Sequence, residues 1–573
     1  MVRLAATGAL CGVLATLAAC GGEAERRDGD RGGVLTMLAA SDVDFLDPGH
    51  TSFVQGIQVA AATQRPLFRY RPNDLTQLRP DLAAARPDVS ADGRTVTVKL
   101  RRGVRFSPPV DREVTSRDVA YALERFFSAN VGGPYLSYFR DLVGAPRKPT
   151  DGVQPIRGIT TPDDHTIVFQ LSEPTSASFV SALSLPASAP VPEDYARPFD
   201  AKSPSTYNTH VIATGPYMVR NNDAGETVGY QAGRSIELVR NPNWDHRTDE
   251  RPAHVDSIKI VTNATDGGVA ARQVLAGTGM VYAIQPPPSI LKVVSTGAQR
   301  AQAVKVSAGD YRFLPLTTTI KPFDRLDVRK AVLAVFDRSA VRVARGGTST
   351  GPLATHFIPP GIPGYGEAGG ERGPNVDFLS PDRPHGDPDI AKAYMRKAGF
   401  PSGKYTGSER FLVVSGNAVS ERNVAEVVRA QLQKLGFRID LRFVPDDALF
   451  TNWCTVPSKK VLACSGVAWL KDFPDPEPLL MPVFYGGAIT DSTGNTNFSQ
   501  LDDPAVDAAM DRARLLSGDA RAAAWGAIDR AIVEHAAAVP LQWDTLTLIH
   551  SKDVDGIASE TFGSWDFSYT SIK

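Results

Sequence analysis

The sequence predicts an α/β protein with more than one domain, and three observations lead to this fold class. The chain has 573 residues, which is too many for one hydrophobic core, so two or three domains are expected. Val96, Val98 and Leu100 alternate with polar residues, as in a half-buried strand. Between 411 and 443 the pattern changes from strand to helix to strand, the order of a right-handed parallel unit.

The composition indicates ordinary globular domains and excludes several classes of function. Hydrophobic residues make up 42% of the chain and charged residues 22%, and the formal net charge is −1. Because no long basic run occurs, nucleic acid and electrostatic membrane binding are not expected as main functions. The nine His residues are scattered without the spacing of a metal site, so no metal or cofactor is predicted.

The N-terminus resembles a bacterial lipoprotein signal. Arg3 precedes an apolar run that is too short for a permanent membrane span, and the run ends in Leu17-Ala-Ala-Cys20. We therefore expect removal of 1–19 and lipidation of Cys20; a plain secretory signal is the alternative. Residues 20–33 are charged and rich in glycine, which is typical of a flexible tether.

Two of the four cysteines, Cys454 and Cys464, remain once Cys11 leaves with the signal and Cys20 carries lipid. An even pair outside the cytoplasm favours a disulfide. Two buried free thiols are the alternative. Zinc is poorly supported, since no His lies near either cysteine.

In the first half of the chain, short strands and turns alternate with helices. An apolar strand is predicted at 34–39 and a helix at 55–63. Thr115-Ser-Arg-Asp118 is a capping box that opens an amphipathic helix. The turn and strand at 163–171 repeat the rhythm of 92–100, which predicts two similar half-buried strands.

The second half has the pattern of an α/β lobe. A helix is predicted at 389–398, and a second helix is expected to begin with Ser420 as its N-cap and to end at Gly436. Pro504 and Asp519 open two later helices. An apolar stretch at 539–543 then predicts a strand that returns to an earlier domain.

A set of motifs gives the chain a specific likeness. In order they are Pro80-Asp-Leu-Ala, Lys99-Leu-Arg-Arg-Gly-Val-Arg-Phe106, Ser116-Arg-Asp-Val-Ala-Tyr-Ala-Leu-Glu124, Ala213-Thr-Gly-Pro-Tyr217, Ala468-Trp-Leu-Lys-Asp-Phe-Pro-Asp-Pro476 and Asn497-Phe-Ser-Gln-Leu-Asp-Asp-Pro504. This order resembles that of the extracytoplasmic solute-binding proteins of family 5, the oligopeptide and dipeptide receptors of ABC importers. The resemblance covers nearly the whole mature chain. One departure is Ser107-Pro-Pro-Val, where the family usually has Asp-Gly.

The resemblance implies a periplasmic-binding-protein type II fold of cluster C, with two α/β lobes joined by a hinge. An additional small α+β domain is expected beside the first lobe. The expected ranges are 34–75, 205–310 and 536–573 for lobe I, 76–204 for the small domain, and 311–535 for lobe II.

The ligand site is expected around Asp472. An apolar run at 467–470 leads to Lys471 and Asp472, and three prolines directly after them forbid both helix and central strand. Trp469 and Phe473 flank the carboxylate, an arrangement that suits a cationic ligand group. The local alternative is a proline-rich turn in which Asp472 hydrogen-bonds its own backbone.

In peptide-binding members of the family, the Asp at this position pairs with the α-amino group of the ligand, which implies that role for Asp472. Trp469 and Phe473 are candidates for pocket walls, with the hydrophobic core as the alternative for each. Trp453 and Tyr485 are weaker candidates. Lys471 could instead receive an anionic group, and the sequence leaves this open.

The function that the resemblance implies is capture without catalysis. A peptide would be enclosed by hinge closure outside the membrane and delivered to the permease and ATPase subunits. The protein itself is expected to be a monomer, held at the membrane by the lipid on Cys20. The alternatives are a receptor for nickel, haem, glutathione or a sugar, and a surface lipoprotein for adhesion or signalling.

A secreted hydrolase is a further alternative, and two motif matches are weighed for other functions. Gly347-Thr-Ser-Thr-Gly351 matches a nucleophile elbow, but Pro352 follows where a helix should begin. Gly364-Tyr-Gly-Glu-Ala-Gly369 matches a dinucleotide pattern without the strand and helix that the pattern needs. Both matches are rejected, and no catalytic site is predicted.

Overall fold

The computed structural model describes residues 32–445, 448–490 and 494–573. The predicted signal, Cys20 and nearly all of the tether therefore lie outside the described residues. The described chain forms two α/β lobes and a smaller domain, each with its own buried apolar cluster, as the sequence predicts.

The chain begins in lobe I and then forms the small domain. The elements are β1 (Val34–Leu38), α1 (Val54–Thr63), β2 (Phe68–Arg71) and β3 (Asp74–Pro80), followed by β4 (Asp88–Val89), β5 (Thr95–Lys99), α2 (Ser116–Arg125), α3 (Leu136–Phe139), β6 (Ile159–Asp163), β7 (Thr166–Gln170), α4 (Ser176–Ala182) and α5 (Glu193–Asp200). The small domain contains an antiparallel sheet in the order β4-β5-β7-β6. The capping box of Thr115 and Asp118 is present at the start of α2, which confirms that prediction.

The chain then returns to lobe I. The elements are β8 (Tyr217–Val219), β9 (Tyr230–Gln231), β10 (Ser235–Arg240), β11 (Ser257–Val261), α6 (Gly267–Ala276), β12 (Met280–Tyr282) and α7 (Pro288–Thr296). The strands among these elements form a mixed sheet with β1 in the order β12-β1-β11-β10-β8, and β9 pairs with β10. In this sheet β12, β1 and β11 are parallel. Met37 and Leu38 on β1 lie on opposite faces of this sheet and are both buried, in different apolar clusters, so the sheet is covered on both faces.

Lobe II follows the long strand β13 (Ala303–Pro315). Its elements are α8 (Leu326–Val335), α9 (Arg338–Arg345), α10 (Pro388–Lys397), β14 (Arg410–Gly416), α11 (Val419–Lys434), β15 (Arg438–Val444), β16 (Ala463–Cys464), β17 (Ala468–Leu470), α12 (Glu477–Phe484), α13 (Pro504–Ala513) and α14 (Gly518–Glu534). Strands β14 and β15 pair in parallel with α11 between them, which confirms the predicted unit. The predicted cap at Ser420 is wrong, because α11 begins one residue before it and Ala418 is the N-cap.

The last part of the chain links both lobes. It consists of β18 (Ala538–Ile549), β19 (Val554–Asp555), β20 (Ala558–Ser559), β21 (Ser564–Trp565) and β22 (Ser571–Ile572). Strand β18 pairs with β13 at 303–307 in lobe I and at 311–315 in lobe II. Residues 536–543 pack in the lobe II core, so the crossing back to lobe I lies near Asp544 rather than at 536.

The crossing point of the two long strands is irregular. The register of β13 against β18 shifts between Ser307 and Tyr311. Gly309 lies in this bulge with a φ of +62°, a conformation that favours glycine. A bulge in the pair of strands that joins two lobes is a natural place for a hinge.

Candidate ligand-binding site

A cavity of about 710 Å³ lies where lobe I, lobe II and the small domain meet. Lobe I contributes residues of α1, β2 and the C-terminal segment, the small domain contributes residues around α3, and lobe II contributes β17 and α12. Six aromatic side chains line the space: Tyr70, Tyr135, Tyr138, Trp469, Tyr485 and Phe562. The size and the mostly apolar wall suit a small organic ligand.

Asp472 lies on the wall of this cavity, two residues beyond the end of β17. The strand pairs with β13, with Leu470 opposite Asp310, and the prolines after Asp472 end the pairing. The side chain is half-buried and accepts a hydrogen bond at Oδ2 from the hydroxyl of Tyr138. Within the part of the chain that the structure describes, Asp472 has no ion-pair partner.

The electrostatic setting of Asp472 is that of an uncompensated carboxylate. Burial raises the pKa of Asp472 to about 6, and the hydrogen bond from Tyr138 acts in the opposite direction without offsetting it. A cationic group of a ligand would remove this penalty by supplying the missing charge partner. The site is therefore suited to an ammonium or guanidinium group.

Trp469 and Phe473 have different positions, although both flank Asp472 in sequence. Trp469 is half-buried, lines the cavity and donates from Nε1 to the carbonyl of Pro478 at 2.8 Å. Phe473 is 0% exposed and packs in the core of the small domain, with its ring centroid 5.0 Å from that of Tyr138. The prediction of Phe473 as a pocket wall is thus corrected, because its ring points away from the cavity into that core.

Lys471 is a buried neighbour of the hinge. Its Nζ donates to the carbonyl of Glu560 in lobe I at 2.7 Å. Burial lowers the pKa of Lys471 to about 8, although Asp310 acts to raise it. A Cβ on Gly309 would lie 2.7 Å from Nζ, so the lysine side chain runs directly along the bulge of β13. The lysine borders the cavity, but its ammonium group is used to join the lobes.

The loop that carries Asp472 is held in place by ion pairs on both sides. Arg521 contacts Asp475 at 2.8 Å and Glu477 at 2.7 Å. Arg514 of lobe II contacts Glu477 at 3.1 Å and also Asp141 of the small domain at 2.7 Å. Since these groups are mostly buried, the loop is fixed relative to the small domain as well as to lobe II.

The weaker candidates divide in the same way. Tyr485 lines the cavity, and its hydroxyl donates to Asp511. Trp453 is not part of the wall; its ring is covered by the guanidinium of Arg442 at 4.4 Å. Cys454 and Cys464 lie side by side in the segment that leads to β17, with Cα atoms 6.0 Å apart, a separation that a disulfide can span.

The sequence interpretation missed the contribution of the small domain. Tyr135, Tyr138 and Arg140 all line the cavity from α3 and its ends. Tyr135 and Tyr138 are three residues apart, a spacing that places two side chains on one face of a helix. This spacing was the available signal, but nothing in the sequence says that the face is directed toward lobe II.

The rejected nucleophile-elbow match at 347–351 falls on a short 3-10 helix. The hydroxyl of Ser349 donates to the carbonyl of Gly346 at 3.1 Å, as in an ordinary turn. Across residues 32–445, 448–490 and 494–573, no group of three metal-ligating side chains comes together. In the same ranges, no helix has the length and apolar character needed to cross a membrane.

Comparison with known proteins shows the family of the chain. Residues 77–491 match the sequence profile described as bacterial extracellular solute-binding proteins, family 5. The chain belongs to this family. Its members are the extracytoplasmic solute-binding component of ABC transporters, so the protein binds a solute and is not an enzyme.

Individual relatives of this family 5 protein are distant in sequence but similar in fold. A dipeptide-binding protein of Pseudomonas aeruginosa is 25% identical over 492 residues, 83% of each chain. Heme-binding protein A of Haemophilus influenzae is 23% identical over 450 residues, 76% of this chain and 74% of its own. The solved structure of clavulanic acid biosynthesis oligopeptide binding protein 2 is 29% identical, with a TM-score of 0.81 over 95% of this chain and 96% of its own. These likenesses confirm the two-lobed type II fold.

Proposed function

We propose that this protein captures short peptides with a free amino group and delivers them to the permease and ATPase subunits of an ABC importer. The ligand would enter between the lobes, and closure about the bulge at 307–311 would enclose it. The closed form would then dock on the transporter, so that the ligand shifts a population of states.

The observation that carries the proposal is the carboxylate of Asp472. It lies at the wall of an aromatic cavity with a neutral hydroxyl as its hydrogen-bond partner, and burial raises its pKa. A ligand α-amino group would supply the opposite charge. The names of the dipeptide-binding relative and of the oligopeptide-binding structure support peptides as the class of solute.

The name of the haem-binding relative supports a second candidate, a non-peptide solute. The same experiment separates the two. The purified protein is denatured, and the small molecules that it releases are identified by mass spectrometry. A set of short peptides is expected. Haem, a sugar or a metal chelate would keep the protein as a receptor and overturn the peptide assignment. If nothing is released, calorimetric titration with a peptide pool decides, and no heat of binding would contradict the proposal.

Peptide affinity is expected to depend on pH through Asp472. The ionised carboxylate attracts an ammonium group, and the pKa of Asp472 in the free protein is about 6. Affinity should therefore be nearly constant above pH 6. Below that it should decline toward tenfold for each pH unit, roughly the limit for uptake of one proton. Titration calorimetry between pH 4.5 and pH 8, as about the usable range for these groups, measures this directly.

Two variants identify the titrating group. Asp472→Asn should bind weakly and lose the decline. Asp310→Asn is the matched control because Asp310, in the hinge bulge, also titrates in this range: burial and the charge of Asp544 raise its pKa to about 7. Asp310→Asn should keep the decline below pH 6. A decline that disappears in Asp310→Asn and persists in Asp472→Asn would assign it to the hinge instead.

We also propose that the mature protein starts at a lipidated Cys20 and is anchored to the outside of the membrane as a monomer. The sequence Leu17-Ala-Ala-Cys20 supports this. The intact mass of the membrane-bound protein should correspond to residues 20–573 plus at least a diacylglycerol. Cys20→Ala should release the protein into the soluble fraction. A mass without lipid, or unchanged membrane association of the variant, would contradict the anchor.

A disulfide between Cys454 and Cys464 is proposed in the mature protein, and the pairing of the two residues supports it. Thiol-labelling reagents should modify two cysteines only after reduction of the denatured protein. Because the bridge closes a short loop before β17, reduction should cost about 2–3 kcal/mol of stability and lower the melting temperature. Two free thiols without prior reduction would disprove the bridge.

A further inference from the structure

The charged residues around the cavity are mostly used within the protein. Arg251 contacts Asp249 at 2.7 Å, and Arg514 contacts Asp141 at the same distance. Glu477 is held by Arg521 at 2.7 Å. Such short, charge-assisted contacts leave little capacity for a ligand.

Arg140 differs from these residues. It is the C-cap residue of α3, lines the cavity, and has a side chain that is 42% exposed. Among the described residues its nearest carboxylate oxygen is Oδ1 of the adjacent Asp141, 4.0 Å from Nε. That carboxylate is already paired with Arg514 through its other oxygen and accepts a hydrogen bond from Thr175 at 3.0 Å. The guanidinium of Arg140 is therefore a surplus cation on the cavity wall.

The position of Arg140 is linked to that of Asp472. Tyr138, whose hydroxyl contacts the Asp472 carboxylate, lies two residues before Arg140. Asp472 and Arg140 line the same cavity, the first from lobe II and the second from the small domain.

We propose that Arg140 is a specificity-determining residue that binds a carboxylate of the ligand, so that the protein selects dipolar peptides. The cationic end pairs with Asp472, and the anionic end pairs with Arg140. This inference rests on the proposed function, because it takes the amino group at Asp472 as the other anchor. The carboxylate can be the C-terminus of the peptide or an acidic side chain.

The test compares three peptides by titration calorimetry on the purified protein. They are tri-alanine as the free acid, the same peptide as its C-terminal amide, and an amidated peptide with glutamate as the third residue. The free acid should bind about 10- to 150-fold more tightly than the amide, the usual range for a hydrogen bond to a charged group. If an acidic side chain is the natural partner, the glutamate peptide recovers the loss instead.

Arg140→Met should remove this preference, and Arg140→Lys should keep part of it because the charge remains. Arg102→Met is the matched control, since Arg102 is exposed on the small domain and does not line the cavity. It should keep the full preference. If Arg140→Met does not fold, the preference of the wild-type protein for the free acid over the amide is measured at low and high salt instead. Added salt should reduce a preference that comes from an exposed charge.

The outcomes separate this inference from the proposed function. If peptides bind and Asp472→Ala weakens them, but the acid, the amide and the glutamate peptide bind equally, the role of Arg140 is overturned and the peptide receptor stands. A preference that persists in Arg140→Met also overturns it. If no peptide binds, the proposed function fails, and the role of Arg140 fails with it.

Discussion

Replacing Asp472 by alanine should weaken peptide binding by about 10- to 150-fold without unfolding the protein. A charge-assisted hydrogen bond contributes about 1.5–3 kcal/mol, and each 1.4 kcal/mol corresponds to about a tenfold change in affinity. In the folded protein the carboxylate has the hydroxyl of Tyr138 as its partner, so no ion pair is broken by the substitution. Titration calorimetry measures the affinity, and thermal unfolding measures the stability.

The sign of the stability effect follows from the pKa. Burial raises the pKa of Asp472 to about 6, so between pH 4 and pH 6 the folded protein holds a proton that the unfolded chain has released. This group therefore lowers the free energy of unfolding as the pH rises through that window. Removing it should leave the melting temperature at pH 7 unchanged or slightly higher.

Asp511→Ala is the matched control for this substitution. Asp511 is exposed and accepts a hydrogen bond from the hydroxyl of Tyr485, but it does not line the cavity. Its removal should change affinity by less than about threefold, as is usual for an exposed contact. Equal losses in the two variants, or unchanged affinity of Asp472→Ala, would show that Asp472 is not the anchor of the ligand.

Replacing Phe473 by alanine should destabilise the protein strongly, by about 3–5 kcal/mol, as is typical of a phenylalanine removed from a core. The ring is fully buried among the apolar side chains of the small domain and meets Tyr138 edge to face. A residue of the lobe II loop thus completes the core of another domain. Urea or thermal unfolding measures the loss.

Peptide binding should weaken in the same variant, because Phe473 fixes the loop that carries Asp472. Phe473→Leu should retain most of the stability, since it leaves a smaller cavity. Phe53→Ala is the matched control, as Phe53 is 59% exposed, and its effect on unfolding should be small. If Phe473→Ala binds peptide poorly but unfolds like the wild type, Phe473 belongs to the pocket wall after all.

The sequence was informative wherever a structural feature depends on neighbouring residues. The capping box at Thr115 and the parallel unit of β14, α11 and β15 are present as predicted. Strand β17 ends before the prolines, as predicted, but Pro478 does not exclude a helix, because it lies in the first turn of α12, where proline is tolerated. Each of these features follows from short-range patterns of polarity and backbone restriction.

The sequence predictions that differ from the structure have a different common cause. Serine is a suitable N-cap residue, but α11 begins at Val419, so Ser420 lies inside its first turn. A helix start that is shifted by one residue leaves the apolar periodicity unchanged, so the sequence pattern does not distinguish the two starts. The sequence predicts lobe I from 536 onward, whereas residues 538–543 pair with β13 inside lobe II. Because one strand runs through both lobes with the same alternation of side chains, its sequence pattern does not reveal where it crosses from one lobe to the other.

For this protein, the sequence alone determined the α/β class, the family resemblance and the position of Asp472 at a strand end. Only the tertiary structure decided what surrounds that carboxylate. Tyr138 is 334 residues away along the chain, and Arg140 comes from the same short helix of a different domain. Adjacent residues likewise took separate roles, Asp472 in the cavity and Phe473 in a core. The physical reason is that polarity patterns specify which faces are buried, whereas the partner of a buried face is set by how whole domains pack.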